Sequence, residues 1–155
     1  MKLRFAWVGK TKSAPIRSLI EDYVDRISKF ATVELVEIRD RMNAQSDTTT
    51  IAAREGEEIL SRIGSDPFVV LLDEKGTELR SDQLAQMIER HQLAGTKKLT
   101  FLIGGHSGVS REVRDRADYT LALSRMTLTH EMARALLTEQ VYRAFTIIRN
   151  LPYNR

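Results

Sequence analysis

The chain has 155 residues, 42% hydrophobic and 29% charged, a composition suited to one globular domain that buries its own core. It contains no cysteine, which excludes disulfides and thiolate-held metals and favours a reducing compartment. The formal charge of +3, from 24 basic and 21 acidic residues, permits a polyanionic partner without demanding one. The opening MKLRFAWVGK has no apolar run of signal-peptide length, and no stretch approaches a membrane span. A single domain over residues 1–155, working in the cytoplasm, is expected.

LRFAWVG (3–9) reads as a strand, after which Ser13 and Pro15 open a helix to about Phe30. TVELVEI (32–38) alternates as a second strand, and the polar stretch 39–47 is a loop. A helix is predicted from about Thr48 to Ile63, ended by GSDP. FVVLLD (68–73) is a continuous apolar run, the mark of a strand covered on both faces. Ser81 then caps the helix SDQLAQMIERHQL, and TKKLTFLIGG supplies a fourth strand. Ser110 starts a short charged helix, YTLALS (119–124) forms the fifth strand, and a helix runs from about His130 to Asn150. Strand and helix alternating in this way predict an α/β fold, a mostly parallel sheet with helices on both sides.

Ligands of such sheets bind beyond the carboxyl ends of the strands. Three ends compete: LLDEKG (71–76), IGGHSG (103–108) and LSRMTLTH (123–130). Gly104 and Gly105 lie at the second, and two readings stand there: a tight turn that needs glycine, or a ligand laid against bare backbone.

Several familiar signatures fail. Gly9-Lys10-Thr11 resembles the end of a phosphate loop, but Arg4 occupies the earlier glycine position. His130-Glu131 begins like H-E-x-x-H, yet Arg134 stands at the second ligand position. Histidines at 91, 106 and 130 give no metal spacing, and no G-x-S-x-G elbow exists. No metal is expected.

On a helical wheel, Ala133, Leu136, Leu137, Val141, Ala144, Ile147 and Ile148 share one arc with Gln140. Glu131, Arg134, Thr138, Tyr142 and Arg149 take the other side, with Phe145 among them. A phenylalanine in that company predicts a partner surface, here a homodimer contact. From Arg134 onward Glu139 is the single acidic residue beside Arg134, Arg143, Arg149 and Arg155, a field that favours phosphates. The final LPYNR could fray, or could stack a base on Tyr153 and hold a phosphate with Arg155.

LLDEKG, FLIGGHSGVS and LSRMTLTHEMARALLTEQVYRAFTIIRNLPYNR together resemble the small bacterial RlmH-type methyltransferases of the SPOUT class. MKLRFAWVGK and the helix containing REGEEIL agree, so the resemblance spans essentially the whole chain. It implies a sheet whose C-terminal segment passes through a preceding loop as a trefoil knot, a feature that general topology rules disfavour. It also implies a homodimer, S-adenosylmethionine as cofactor, and methylation at N3 of a pseudouridine in 23S ribosomal RNA on assembled ribosomes.

Carried onto this chain, the resemblance assigns Leu72, Gly104, Gly105, Gly108, Ser124 and Arg125 to the cofactor, with Met126, Thr127, Leu128 and Thr129. The glycines would then make room for a bent nucleoside. His130 is the candidate proton acceptor, Arg134 and Arg143 are candidate cations beside the target base, one of which the dimer partner could supply, and Tyr142, Tyr153 and Arg155 are expected to make RNA or dimer contacts. Three positions depart from the family pattern: Thr129 replaces a proline, His106-Ser107 replace Pro-Glu, and Asn154 replaces a histidine that could have served as base. The alternative reading is a non-catalytic ribosome-binding or nucleotide-binding α/β module.

Overall fold

The computed structural model describes residues 1–42 and 45–154; Arg155 and the side chain of Asn154 lie outside the described residues. Five strands, β1 (Lys2–Val8), β2 (Thr32–Ile38), β3 (Phe68–Glu78), β4 (Lys98–Ile103) and β5 (Tyr119–Ala122), form one sheet in the order β2-β1-β4-β3-β5. Every pairing is parallel. Between them run α1 (Ala14–Ile27), α2 (Thr48–Ile63), α3 (Ser81–Leu93) and α4 (Arg111–Arg116), and α5 (His130–Ile148) follows β5.

Alternation along each strand splits the core into two. Leu3, Phe5 and Trp7 of β1 and Leu99, Phe101 and Ile103 of β4 face α1, α3 and α5. Ala6, Val8, Val69, Leu71 and Leu102 face α2 and α4, meeting Ile59, Ile63 and Val113. On that second face a buried ionic node stands in for apolar packing. Asp66 accepts from Arg4 at 3.0 Å, from Lys98 at 3.3 Å and from the Thr100 hydroxyl at 2.6 Å. Three donors on one carboxylate meet the condition under which a buried charge is tolerated.

The helix after β4 lies on the opposite face from those after β1 and β3. The end of β4 is therefore flanked on each side by a strand whose chain departs the other way. Open parallel sheets leave a crevice at such a point, and here there are two, one on either side of β4.

Four expectations need correction. The third strand does not stop at Asp73. Residues 73–76 loop out, and pairing resumes at Thr77 with Leu121. A Cβ on Gly76 would lie 2.7 Å from the Thr120 backbone, so glycine lets two main chains touch. Ser81 is not the cap of α3 but its first residue, and its hydroxyl is 2.6 Å from Gln140 Oε1 on α5. The last helix ends at Ile148, because Asn150 turns left-handed (φ 53°) while the Leu151 amide bonds back to Thr146 at 2.8 Å.

Phe145, expected on a partner surface, is fully buried and stacks on Phe30 with ring centroids 5.6 Å apart. The helix is wedged between α1 and α3 above the sheet, so it has apolar flanks rather than one apolar arc.

Candidate active site

The segment after β4 builds the partition between the two crevices. Its turn is closed by the Gly108 amide donating to the Gly105 carbonyl at 3.0 Å, with Gly108 at φ +76°. A Cβ on Gly104 would lie 2.5 Å from Val109 Cγ1, and one on Gly105 would lie 2.6 Å from Glu55 Oε2. At both positions the space is taken by the protein's own atoms. The missing Cβ atoms thus let the turn pack tightly, while Gly104 and Gly108 border the crevice between the ends of β4 and β3.

The first crevice, of about 360 Å³, lies between the ends of β4 and β3 and under the loop before α5. Leu72, Gly104, Gly108, Ser124, Met126, Thr127 and Leu128 line it, seven of the residues assigned to the cofactor, together with Ile103, Leu123 and Ala133. The looped-out 73–76 segment forms its outer wall. Asp73 there accepts from Arg114 at 2.7 Å. Burial pushes its pKa up, but the Lys75 amide and Arg114 outweigh burial and hold it below the ordinary carboxylate value. Thr127 donates to Glu74 Oε2 at 3.1 Å, and Ser124 Oγ accepts from the Met126 amide at 2.9 Å, which sets the curve of the wall.

Three assigned residues stand elsewhere. Arg125 turns to the outer edge of the sheet, pairing with Glu78 at 2.7 Å. Gly105 and Thr129 face the other crevice, and Thr129 Oγ1 caps α5 by accepting from the Met132 amide at 3.2 Å. The threonine that departs from the family's proline thus serves the helix start.

The second crevice, of about 830 Å³, opens between the ends of β1 and β4. His130 borders both. Its ring lies edge-on to His106, with centroids 4.5 Å apart, and the Gly104 backbone favours its protonated form. Burial, with smaller contributions from His106 and Arg134, lowers its pKa against the opposing pull of that backbone, so the neutral ring dominates at neutral pH. Arg134 lines the same crevice and is only 2% exposed. It donates to the Val8 carbonyl at 2.7 Å and the Thr11 hydroxyl at 3.0 Å, with its guanidinium carbon 5.2 Å from the Trp7 ring centre.

The family model described as "Predicted SPOUT methyltransferase" matches residues 1–154. The chain belongs to the SPOUT methyltransferase family. A protein of Geobacter sulfurreducens called ribosomal RNA large subunit methyltransferase H is 44% identical over 154 residues, 99% of each chain. One of the same name from Syntrophotalea carbinolica is 41% identical with the same coverage. Among solved structures, a probable methylase family protein of Haemophilus influenzae superposes with TM-score 0.57 at 14% identity, over 96% of this chain and 66% of that one. A probable methyltransferase of Bordetella pertussis gives 0.56 at 14%, over 92% and 95%. These two likenesses show shared architecture.

In this SPOUT chain Arg143, Tyr142 and Tyr153 gather away from both crevices, and Arg155 lies outside the described residues. Arg143 bonds Glu139 along α5, and its guanidinium carbon sits 4.8 Å from the Tyr153 ring centre. The Tyr153 hydroxyl donates to Glu139 at 3.0 Å and lies 3.1 Å from that of Tyr23, and burial with these contacts raises its pKa. Tyr142 packs edge-on to Tyr153 at 4.8 Å. The tail is therefore pinned through Tyr153 instead of fraying, and Arg143 stands with it rather than beside His130.

Sequence reasoning missed Glu55, Lys10 and Lys12. Lys10 had been seen only inside a rejected phosphate loop, and Glu55 only within a segment of family likeness.

Proposed function

We propose that this SPOUT protein uses S-adenosylmethionine to methylate N3 of a pseudouridine in 23S ribosomal RNA, acting on assembled ribosomes as a cytoplasmic homodimer. The observation that carries the reading is the end-to-end match to large-subunit ribosomal RNA methyltransferases, together with the convergence of three separated segments on one crevice.

The first crevice fits the cofactor. Leu72, Ile103, Leu123, Leu128 and Ala133 give it apolar walls suited to an adenosine, and Asp73 and Glu74 put carboxylates beside a cationic donor. When bound there, S-adenosylmethionine supplies an electrophilic methyl group. The chain's own residues have two tasks. The crevice orients donor and acceptor, which is worth up to roughly 7–11 kcal/mol of barrier in favourable cases. His130, held neutral by burial, offers a ring nitrogen to take the proton from an imide N3–H. Arg134 provides a positive charge that favours the imide anion.

The homodimer is supported by Leu19 on α1 and Met132 and Leu136 on α5, 44%, 43% and 37% exposed on two neighbouring helices. The knot is supported by the return of α5 from the edge strand β5 to a seat between α1 and α3. In the test, radiolabelled methyl donor is incubated with ribosomes lacking the modification and the labelled nucleotide is mapped. Label at N3 of one 23S pseudouridine is expected; ribosomes left unlabelled, or label confined to another RNA, would overturn the reading.

A further inference from the structure

The first crevice accounts for a methyl donor and leaves the larger one unassigned. Building on the methyl-transfer reading, we infer that the second crevice, between the ends of β1 and β4, receives the nucleotide to be methylated, with Arg134 as its buried recognition group.

Position is the first reason. The two crevices share His130 and lie on the two sides of one glycine turn, so a base in the second would stand next to a donor in the first. At about 830 Å³ the second is within the usual range of ligand sites, roughly 300–1,000 Å³, and is large enough for a base with its sugar and phosphate.

Charge is the second. Lys10, Lys12, Arg39, Arg62 and Arg134 line this crevice, and among the described residues none of them forms an ion pair. Four carboxylates, Glu37, Asp40, Glu58 and Glu131, line it too, so the excess is one positive charge. Three of the four are already committed, Asp40 to the Met42 amide at 2.8 Å. Glu58 pairs with Arg41 at 3.0 Å, and Glu131 accepts the amides of Lys12 and Ser13. Uncommitted cations around a concave site favour a phosphate-bearing ligand.

The third reason is Arg134 itself. A guanidinium this deeply buried costs several kcal/mol unless paired. Glu131 and Glu37 attract Arg134 without an ion-pair contact, its hydrogen-bond partners are a carbonyl and a hydroxyl, and among the described residues Nε has no acceptor. A uracil-type base carries carbonyls on both sides of N3–H. One carbonyl on Arg134 Nε would satisfy the orphan donor and leave N3–H turned toward His130, while Lys10 and Lys12 on the rim meet the phosphate. The identity of the base is thus read by Arg134, and the basic rim holds the strand.

The test combines a binding map with kinetics. Isotope-labelled protein saturated with S-adenosylhomocysteine is titrated with pseudouridine 5′-monophosphate and followed by amide NMR. Shifts at Gly9, Lys10, Lys12 and His106 are expected; shifts confined to the first crevice or to the Tyr153 tail, or none at millimolar ligand, overturn the inference. In parallel, Lys10→Glu and Lys12→Glu should raise KM for ribosomes about tenfold and flatten its salt dependence, with cofactor affinity unchanged. Arg134→Lys, which keeps the charge and removes Nε, should lower kcat while the folded spectrum and cofactor affinity persist. Wild-type turnover in all three variants defeats this inference and leaves the proposed function standing, whereas a wild-type protein that methylates no ribosome defeats that function instead.

Discussion

At the scale of single residues, Glu55 shows how the glycine turn is held. It is 2% exposed, one carboxylate oxygen accepts from the Arg41 amide at 3.2 Å, and the other lies beneath Gly105 with no partner among the described residues. Burial raises its pKa, and Asp40 acts in the same direction against the Arg41 amide and His106. A carboxyl group whose folded pKa is raised stabilises the fold fully below its ordinary value, about 4.3, and that contribution is lost as pH rises through the folded value. The wild-type protein should therefore lose stability relative to Glu55→Gln as pH rises above the ordinary carboxyl value, in urea unfolding at each pH. Parallel profiles would show that Glu55 titrates as it does in the unfolded chain.

At the scale of elements, α5 separates what a wheel can show from what it cannot. Thr138 and Thr146 look polar in sequence, but their hydroxyls bond back to Arg134 and Arg143 carbonyls at 3.0 and 2.7 Å, so both pack as apolar residues. Arg134 looks like a surface charge and lies over Trp7. With those three residues counted as buried, Phe145 falls on a core flank. Phe145→Ala should cost about 3–5 kcal/mol in denaturant unfolding. Leu136→Glu should separate the proposed dimer in analytical ultracentrifugation while changing monomer stability by no more than about 0.5 kcal/mol. The reverse pattern would restore Phe145 to an interface.

The strands were legible because parallel, doubly covered strands are nearly continuous apolar runs, as in FVVLLD and LTFLI. The loop-out after Asp73 was hidden because its cause is a backbone contact between Gly76 and Thr120, which leaves no pattern in side chains.

At the scale of the whole molecule, the location of a site was readable and its division was not. Alternating strands and helices pointed to the carboxyl ends of β3, β4 and β5. That β4 departs to the opposite face from both neighbours depends on strand order, which chain order does not disclose. From that single reversal come two crevices, one with apolar walls and acidic residues at its outer edge, the other lined by cations in slight excess over carboxylates, meeting at His130. The most direct test of this account is calorimetric titration of S-adenosylmethionine into the wild-type protein and into Ala133→Trp, whose indole would fill the first crevice. The account predicts one site per chain in the wild type and none in the folded variant; equal binding by both would place the cofactor elsewhere and contradict it.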